Sequence, residues 1–340
     1  MKKYLLSIVA LCCTMVAGAQ STDEISAILQ HGDEVSVYKG STGFKQAYAA
    51  ASDGDVISLS RGSFDPVNIE KKLSIYGAGF EDNDETNTAV TTINGSVNVG
   101  KADPVIDGLH IEGVKINGNL ACTQTMKNYT IQKCYITGNM TFANNIENVK
   151  VKQCRIGGDL TGNKNLMANG LLISNCYVWG VINYFSNESI VNIDHSFMGS
   201  QYYTYYDYNE YNIFAQFLWT NSIIYNRRTN YPLPTGNYAT VKNCIVVNGA
   251  GTIRDNNIVE NCYYVVLADI FDDAADGVYT ESRTFKLKDE TTYKGTDGTP
   301  IGPSGGDGWN KVPSTPYVKN LNATVNGTMK YFASCELHKP

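Results

Sequence analysis

Two adjacent side chains, Asp194 and His195, could move a proton, because a carboxylate beside an imidazole offers an acid and a base near neutral pH. A further carboxylate, Asp159, stands in the alternating stretch Gly158-Asp159-Leu160-Thr161. Five cysteines, Cys134, Cys154, Cys176, Cys244 and Cys262, bring thiol chemistry into question. None lies at the close C-x₂-C spacing of a metal site, so no metal and no cofactor is expected. A fourth set is aromatic and cationic: Tyr135, Arg155, Tyr177 and Phe197. Rings and a guanidinium in one row could line a groove for sugars.

What positions these residues is a repeat, written most plainly at 129–142 as Tyr-Thr-Ile-Gln-Lys-Cys-Tyr-Ile-Thr-Gly-Asn-Met-Thr-Phe. With the position of Cys134 as the key slot, the slot is filled by Val114, Cys134, Cys154, Cys176, Ser196, Ser222, Cys244 and Cys262. Successive slots lie 20, 20, 22, 20, 26, 22 and 18 residues apart. An apolar residue stands three before each slot (Ile111, Ile131, Val151, Ile173, Ile193, Trp219, Val241, Val259). Another stands two after it (Ile116, Ile136, Ile156, Val178, Met198, Ile224, Val246, Tyr264). In the first four repeats a glycine follows four after the slot (Gly118, Gly138, Gly158, Gly180), and then a short apolar run begins. The period is too short for paired-helix repeats. Its internal alternation of two predicts short strands with one buried face, wound into a parallel β-helix that rises about 4.8 Å per coil.

The repeat assigns each candidate a place. The slot points inward, so its cysteines are expected as buried free thiols stacked in the core. The residue before the slot is Asn175, Asn221, Asn243 and Asn261 in four repeats, which suits a bend in the left-handed conformation. His195 occupies the same position. Asp159 faces outward between Asn139/Thr141 and Val181/Asn183, with no second carboxylate to make an acid and base pair. The residue after the slot also faces outward, and there Tyr135, Arg155, Tyr177 and Phe197 form a stripe with the guanidinium between rings. Two readings stay open: a glycan-binding groove, walled by Tyr203 and Tyr206 of the tyrosine-rich insertion at 200–216, or a second small core covered by that loop or by the segment 265–340.

The ends are read differently. Lys2 and Lys3, the apolar run Leu5 to Val16 and Ala17-Gly18-Ala19 form a secretory signal over residues 1–19, so the chain is expected in the periplasm, on the cell surface or secreted. No other apolar run is long enough to span a bilayer. Loss of Lys2 and Lys3 takes the formal charge from −6 to −8, which argues against a nucleic-acid partner. Residues 20–55 form an N-terminal segment with a short helix from Gly43 to Ala51, capped by Ser41 or Thr42, whose Phe44, Ala47 and Ala51 share a face. Residues 56–264 carry the coils and 265–340 an irregular C-terminal cover.

Two stretches carry a resemblance. The combination Phe44-x-x-Ala47, Ser52-Asp53-Gly54-Asp55-Val56-Ile57-x-Leu59, Gly62-x-Phe64 and Leu73-x-Ile75-x-Gly77 resembles the opening of pectate-lyase-like right-handed β-helix proteins. Arg283-Thr-Phe-Lys-Leu-Lys288 followed by Gly295-Thr-Asp-Gly-Thr-Pro-Ile-Gly-Pro-Ser-Gly-Gly306 resembles the closing stretch of secreted bacterial members of that superfamily, many without an assigned function. The resemblance implies a right-handed coil, a small helix capping the first coil and a tail covering the last one. It also implies what an enzyme would need: a basic proton abstractor with acidic residues holding Ca²⁺ in a lyase, or paired carboxylates in a hydrolase. Ile193-Asp194-His195 is similar to the Trp-Ile-Asp-His segment of pectate lyases, but Asn192 replaces the Trp and no Arg-x-Pro-x-x-Arg follows. The expectation is an all-β, single-stranded right-handed parallel β-helix. It is exported, monomeric and non-catalytic, and it binds a polysaccharide, a cell-surface glycan or another surface partner. Alternatives are a polysaccharide lyase or glycoside hydrolase using Asp159, Asp194 or His195, with Ca²⁺ under the lyase reading alone, and a structural or adhesive rod.

Overall fold

The computed structural model describes residues 25–81, 90–163, 165–183, 185–186, 188–201, 216–226, 239–247, 257–314, 318–326 and 330–337. The expected signal 1–19, Tyr203 and Tyr206 lie outside the described residues. Each repeat supplies strands to as many as three sheets. In the repeat of Cys134 these are Met126–Gln132, Tyr135–Ile136 and Met140–Phe142. Like strands of successive repeats pair in parallel, so Ile131 lies between Ile111 and Val151. The result is a parallel β-helix with a twelve-stranded long sheet, a ten-stranded flank sheet and a five-stranded short sheet.

Local chemistry makes the corners. The residue before the slot takes a left-handed backbone throughout: Lys133 (φ 49°), Gln153 (53°), Asn175 (51°), His195 (42°), Asn221 (50°), Asn243 (51°) and Asn261 (51°). This bend turns the chain from the long sheet into the flank sheet. The slot side chain then donates to the carbonyl two residues back: Cys134 Sγ to Gln132 O at 3.1 Å, Ser196 Oγ to Asp194 O at 2.9 Å and Ser222 Oγ to Thr220 O at 2.7 Å. Cysteine fills five of these slots and serine two because both are small and both donate.

The glycine four after the slot has a steric cause. Asn119, Asn139 and Asp159 each turn a side-chain oxygen toward the next coil, where it accepts the backbone N–H of Asn139, Asp159 and Val181 at 2.8, 2.9 and 2.8 Å. A Cβ at Gly138, Gly158 or Gly180 would stand 2.2, 2.1 or 2.3 Å from that oxygen.

The inward positions three before and two after the slot are buried in every repeat from Val114 to Cys244. In the last repeat Val259 is 40% and Tyr264 55% exposed, because no further coil lies on them among the described residues. The first coil is closed differently. Strands β1 (Ser26–His31) and β2 (Glu34–Lys39) form an antiparallel hairpin that takes the edge of the long sheet at Val56–Leu59. Helix α1 (Gly43–Ala50) buries Phe44 and Ala47 in the core, and the N-cap residue Thr42 accepts from Gln46 Nε2 at 3.0 Å. The expected helical cap is therefore a hairpin with a helix. No helix among the described residues is long and apolar enough to cross a membrane.

Candidate functional site

The segment 267–314 runs as a strap along the outer side of the flank sheet, toward the first coils. It touches the last coil at Tyr263, whose hydroxyl donates to Thr292 O at 3.1 Å, but leaves Val259 and Tyr264 exposed, and its further hydrogen bonds step through the left-handed residues of five consecutive repeats. Asn221 Oδ1 accepts the Thr296 N–H at 2.8 Å, His195 Nε2 lies 3.1 Å from Thr299 Oγ1, and Asn175 Nδ2 donates to Pro303 O and Gly305 O at 3.0 and 2.6 Å. Gln153 Nε2 then donates to Gly308 O at 2.8 Å and Lys133 Nζ to Val312 O at 2.6 Å. A left-handed residue tips its side chain away from the coil, and the strap uses that series as a row of fasteners. Close approach requires glycine: a Cβ on Gly305 would meet Pro300 O at 1.7 Å and His195 Cδ2 at 2.6 Å.

Beneath the strap lies the aromatic stripe. Tyr177 and Phe197 stack at 5.1 Å and 10°, and both are buried with Ile223, Ile245, Phe271, Tyr279, Phe285, Leu287 and Ile301 in a second hydrophobic core. The Tyr177 hydroxyl donates to Gly277 O at 2.7 Å and accepts the Tyr279 N–H at 3.1 Å. Of the two open readings, the second core covered by the segment 265–340 holds at Tyr177 and Phe197: the row there is core, and its rings face one another along the rod axis.

The stripe emerges from the strap at its N-terminal end. There the Arg155 guanidinium lies 4.0 Å from the centroids of both Tyr135 and Tyr279, and Lys115 Nζ lies 5.5 Å from the Tyr135 centroid. The sandwich foreseen between Tyr135 and Tyr177 is closed by the strap's Tyr279 instead. Next to it Glu81 is buried, hydrogen-bonded by the Tyr279 hydroxyl, 2.5 Å from Lys311 Nζ and 3.9 Å from an Arg155 nitrogen. Burial raises its carboxyl above the ordinary value, and the Lys311 charge offsets only part of that. Nothing in the local sequence pairs Glu81 with residues about two hundred positions away, so sequence reasoning did not find it.

The catalytic candidates are occupied. Asp159 belongs to the Asn119–Asn139 ladder. His195 is 2% exposed, with Nδ1 3.0 Å from Asp194 Oδ2 and Nε2 against Thr299. Asp194 Oδ1 also accepts from Thr220 Oγ1 at 2.7 Å and Asn221 Nδ2 at 2.9 Å. Burial raises the Asp194 carboxyl, but the His195 and Thr220 hydrogen bonds outweigh it and hold it below the ordinary carboxylate range. The pair Asp194 and His195 thus acts as one of the strap's fasteners. Among the described residues no three His, Cys, Asp or Glu side chains converge to hold a metal ion.

Comparison with protein-family models, with curated proteins and with solved structures gives no match. The fold and site together define a parallel β-helix with its flank sheet strapped.

Proposed function

We propose that this protein is an exported, non-catalytic, monomeric β-helix that binds a polysaccharide, a cell-surface glycan or another surface partner at the open end of the stripe, through Lys115, Tyr135 and Arg155. The observation that carries this reading is the clamped guanidinium. Arg155 keeps 19% of its side chain exposed while two rings fix its plane. A donor held that way loses little conformational freedom when a hydroxyl or carboxylate arrives. Both faces of Tyr135 are taken by Arg155 and Lys115, so the ligand meets ring edges, a phenol and two cations, and recognition runs through hydrogen bonds rather than ring stacking. The non-catalytic part is supported by the engagement of Asp159, Asp194 and His195 in backbone and strap contacts.

A second reading, the adhesive rod, is favoured by a separate observation. From the Ser196 repeat onward Ile190, Leu218, Ile258, Val259, Tyr264 and Val266 are exposed. One experiment separates the readings: retention of the protein in affinity gels of neutral and acidic polysaccharides, with and without Ca²⁺, alongside assay for newly released chain ends. Under the leading reading K115A weakens retention about 2- to 10-fold, the size of one lost charged hydrogen bond, with no fall in Tm. No retention on any polysaccharide transfers support to the adhesive rod. Released ends would revive the enzyme alternatives at Asp159, Asp194 and His195.

A further inference from the structure

The slot column contains two groups of cysteines, and they differ in access. Cys134, Cys154 and Cys176 are fully buried between coils. Cys244 is buried as well, but its neighbour Cys262 belongs to the last coil and is partly exposed. The two are held in register on both sides of the slot. Thr240–Lys242 pairs with Ile258–Glu260, and Ile245–Val247 pairs with Tyr263–Val265. A coil spacing of about 4.8 Å falls within the range of roughly 4.4–6.8 Å between Cα atoms that a disulfide accepts. Each sulfur donates to the carbonyl two residues back, Cys244 Sγ to Lys242 O at 3.3 Å and Cys262 Sγ to Glu260 O at 3.5 Å, so both side chains point the same way off neighbouring coils.

Environment divides their roles. The neighbouring Cys244 lowers the Cys262 thiol below its ordinary value, whereas burial pushes Cys244 well up. Lys242 and Glu260 beside the slot are paired with each other at 2.9 Å. Cys262, partly exposed, is the sulfur that a small disulfide can reach, and the buried Cys244 is the resolving thiol.

We propose that Cys244 and Cys262 are a redox pair that closes reversibly to a disulfide and staples the last coil to the rod. The Cys262 thiolate attacks a small disulfide such as oxidised glutathione, expelling one glutathione thiolate and leaving the other glutathione bonded to Cys262. The Cys244 thiol gives its proton to solvent and attacks Cys262 Sγ, forming the Cys244–Cys262 bond and expelling the second glutathione. Two protein thiols are oxidised, and one glutathione disulfide is reduced to two thiols. The coil so fixed contains Val259 and Tyr264, the inward-slot residues with the most solvent exposure.

The test uses the full chain exposed to oxidised glutathione, quenched with N-ethylmaleimide and digested for mass spectrometry. A Cys244–Cys262 linked peptide is expected, lost on adding dithiothreitol. C244S should retain a glutathione adduct on Cys262, and C262S should leave Cys244 unmodified. Serine already fills this slot at Ser196 and Ser222, so both variants are expected to fold. In the reduced wild type, Cys262 should alkylate on the order of tenfold or more faster than Cys134, Cys154 and Cys176. A wild-type glutathione adduct on Cys262 that Cys244 never resolves would overturn the proposal. So would Cys244 and Cys262 both remaining free, or a disulfide from either to Cys335.

Discussion

Replacing Phe197 by alanine tests whether the stripe is core or groove. Phe197 is fully buried and touches rings on both the coil and the strap: Tyr177 at 5.1 Å and 10°, and Phe271 and Phe285 each at 5.7 Å between centroids. Truncation removes the ring's transfer free energy, about 1.5–3 kcal/mol, and leaves a cavity that the flank sheet cannot collapse, for a total of about 3–5 kcal/mol. At about 2 °C per kcal/mol for a chain of this size, Tm should fall by roughly 6–10 °C. The loss should concentrate in the strap, so limited proteolysis of F197A should cut within 267–301 while the coils resist. The assay is a thermal melt paired with mass mapping of early cleavage sites. An F197A protein with unchanged Tm and a protected strap would refute the second core and return the stripe to the open groove.

Two further outcomes follow from the same physical reasoning. D159N keeps an oxygen for the Val181 N–H and should change stability by less than about 0.5 kcal/mol, as Asn119 and Asn139 do the same task unaided, whereas G158A forces a Cβ against Asn139 Oδ1 and should cost about 1–3 kcal/mol; denaturant melts of the two variants check the contrast. The pH profile should fall on the acid side through Glu112. Burial raises this carboxyl, yet hydrogen bonds from His110 and Ser314 and the Lys133 charge hold it below its ordinary value of 4.5. A depressed folded pKa gives a contribution that is whole above the unfolded pKa and is lost as pH falls through the folded one. Glu81 is raised, so its contribution runs the other way, growing as pH falls through its folded value. Stability should therefore hold or rise slightly below neutrality and drop below about pH 4. E112Q should flatten the drop, read from Tm against pH.

Much of the coil was legible because its causes are local. Ile131 and Ile136 flank the slot at fixed distances, and the alternation between them sets which side chains enter the core. The left-handed corner was readable where it is asparagine, at Asn175 and Asn221, and hidden where Lys133 and Gln153 adopt it. The hairpin at the start was not foreseen: Gly32, at φ 57°, marks its turn, but of its two strands only Glu34–Lys39 alternates in sequence, and Ser26–His31 carries Ala27, Ile28 and Leu29 in a row. That the segment 265–340 covers the stripe was one of the two open readings, but the course of the strap was not readable, because its partners are remote. Asn175 meets Gly305 across 130 residues and Tyr177 meets Gly277 across 100, and no periodicity links positions so far apart. The stripe was therefore located correctly by register, while its burial depended on a segment whose own sequence has no repeat.

The course of the strap settles how the protein would answer a mechanical pull. The chain leaves the strap at Ser314, whose N–H is held by Glu112 Oε1 at 2.6 Å and whose hydroxyl lies 3.2 Å from Lys133 Nζ. Tension applied through the residues that follow thus enters the rod beside its first repeats and not at the last coil. The fasteners would be loaded in sequence, Ser314 on Glu112 and Lys133 first, then Lys311 on Glu81, then Gln153, Asn175, His195 and Asn221. A chain arranged this way peels at low force over a long extension, and its exposed final coil feels no strain until the strap has come away.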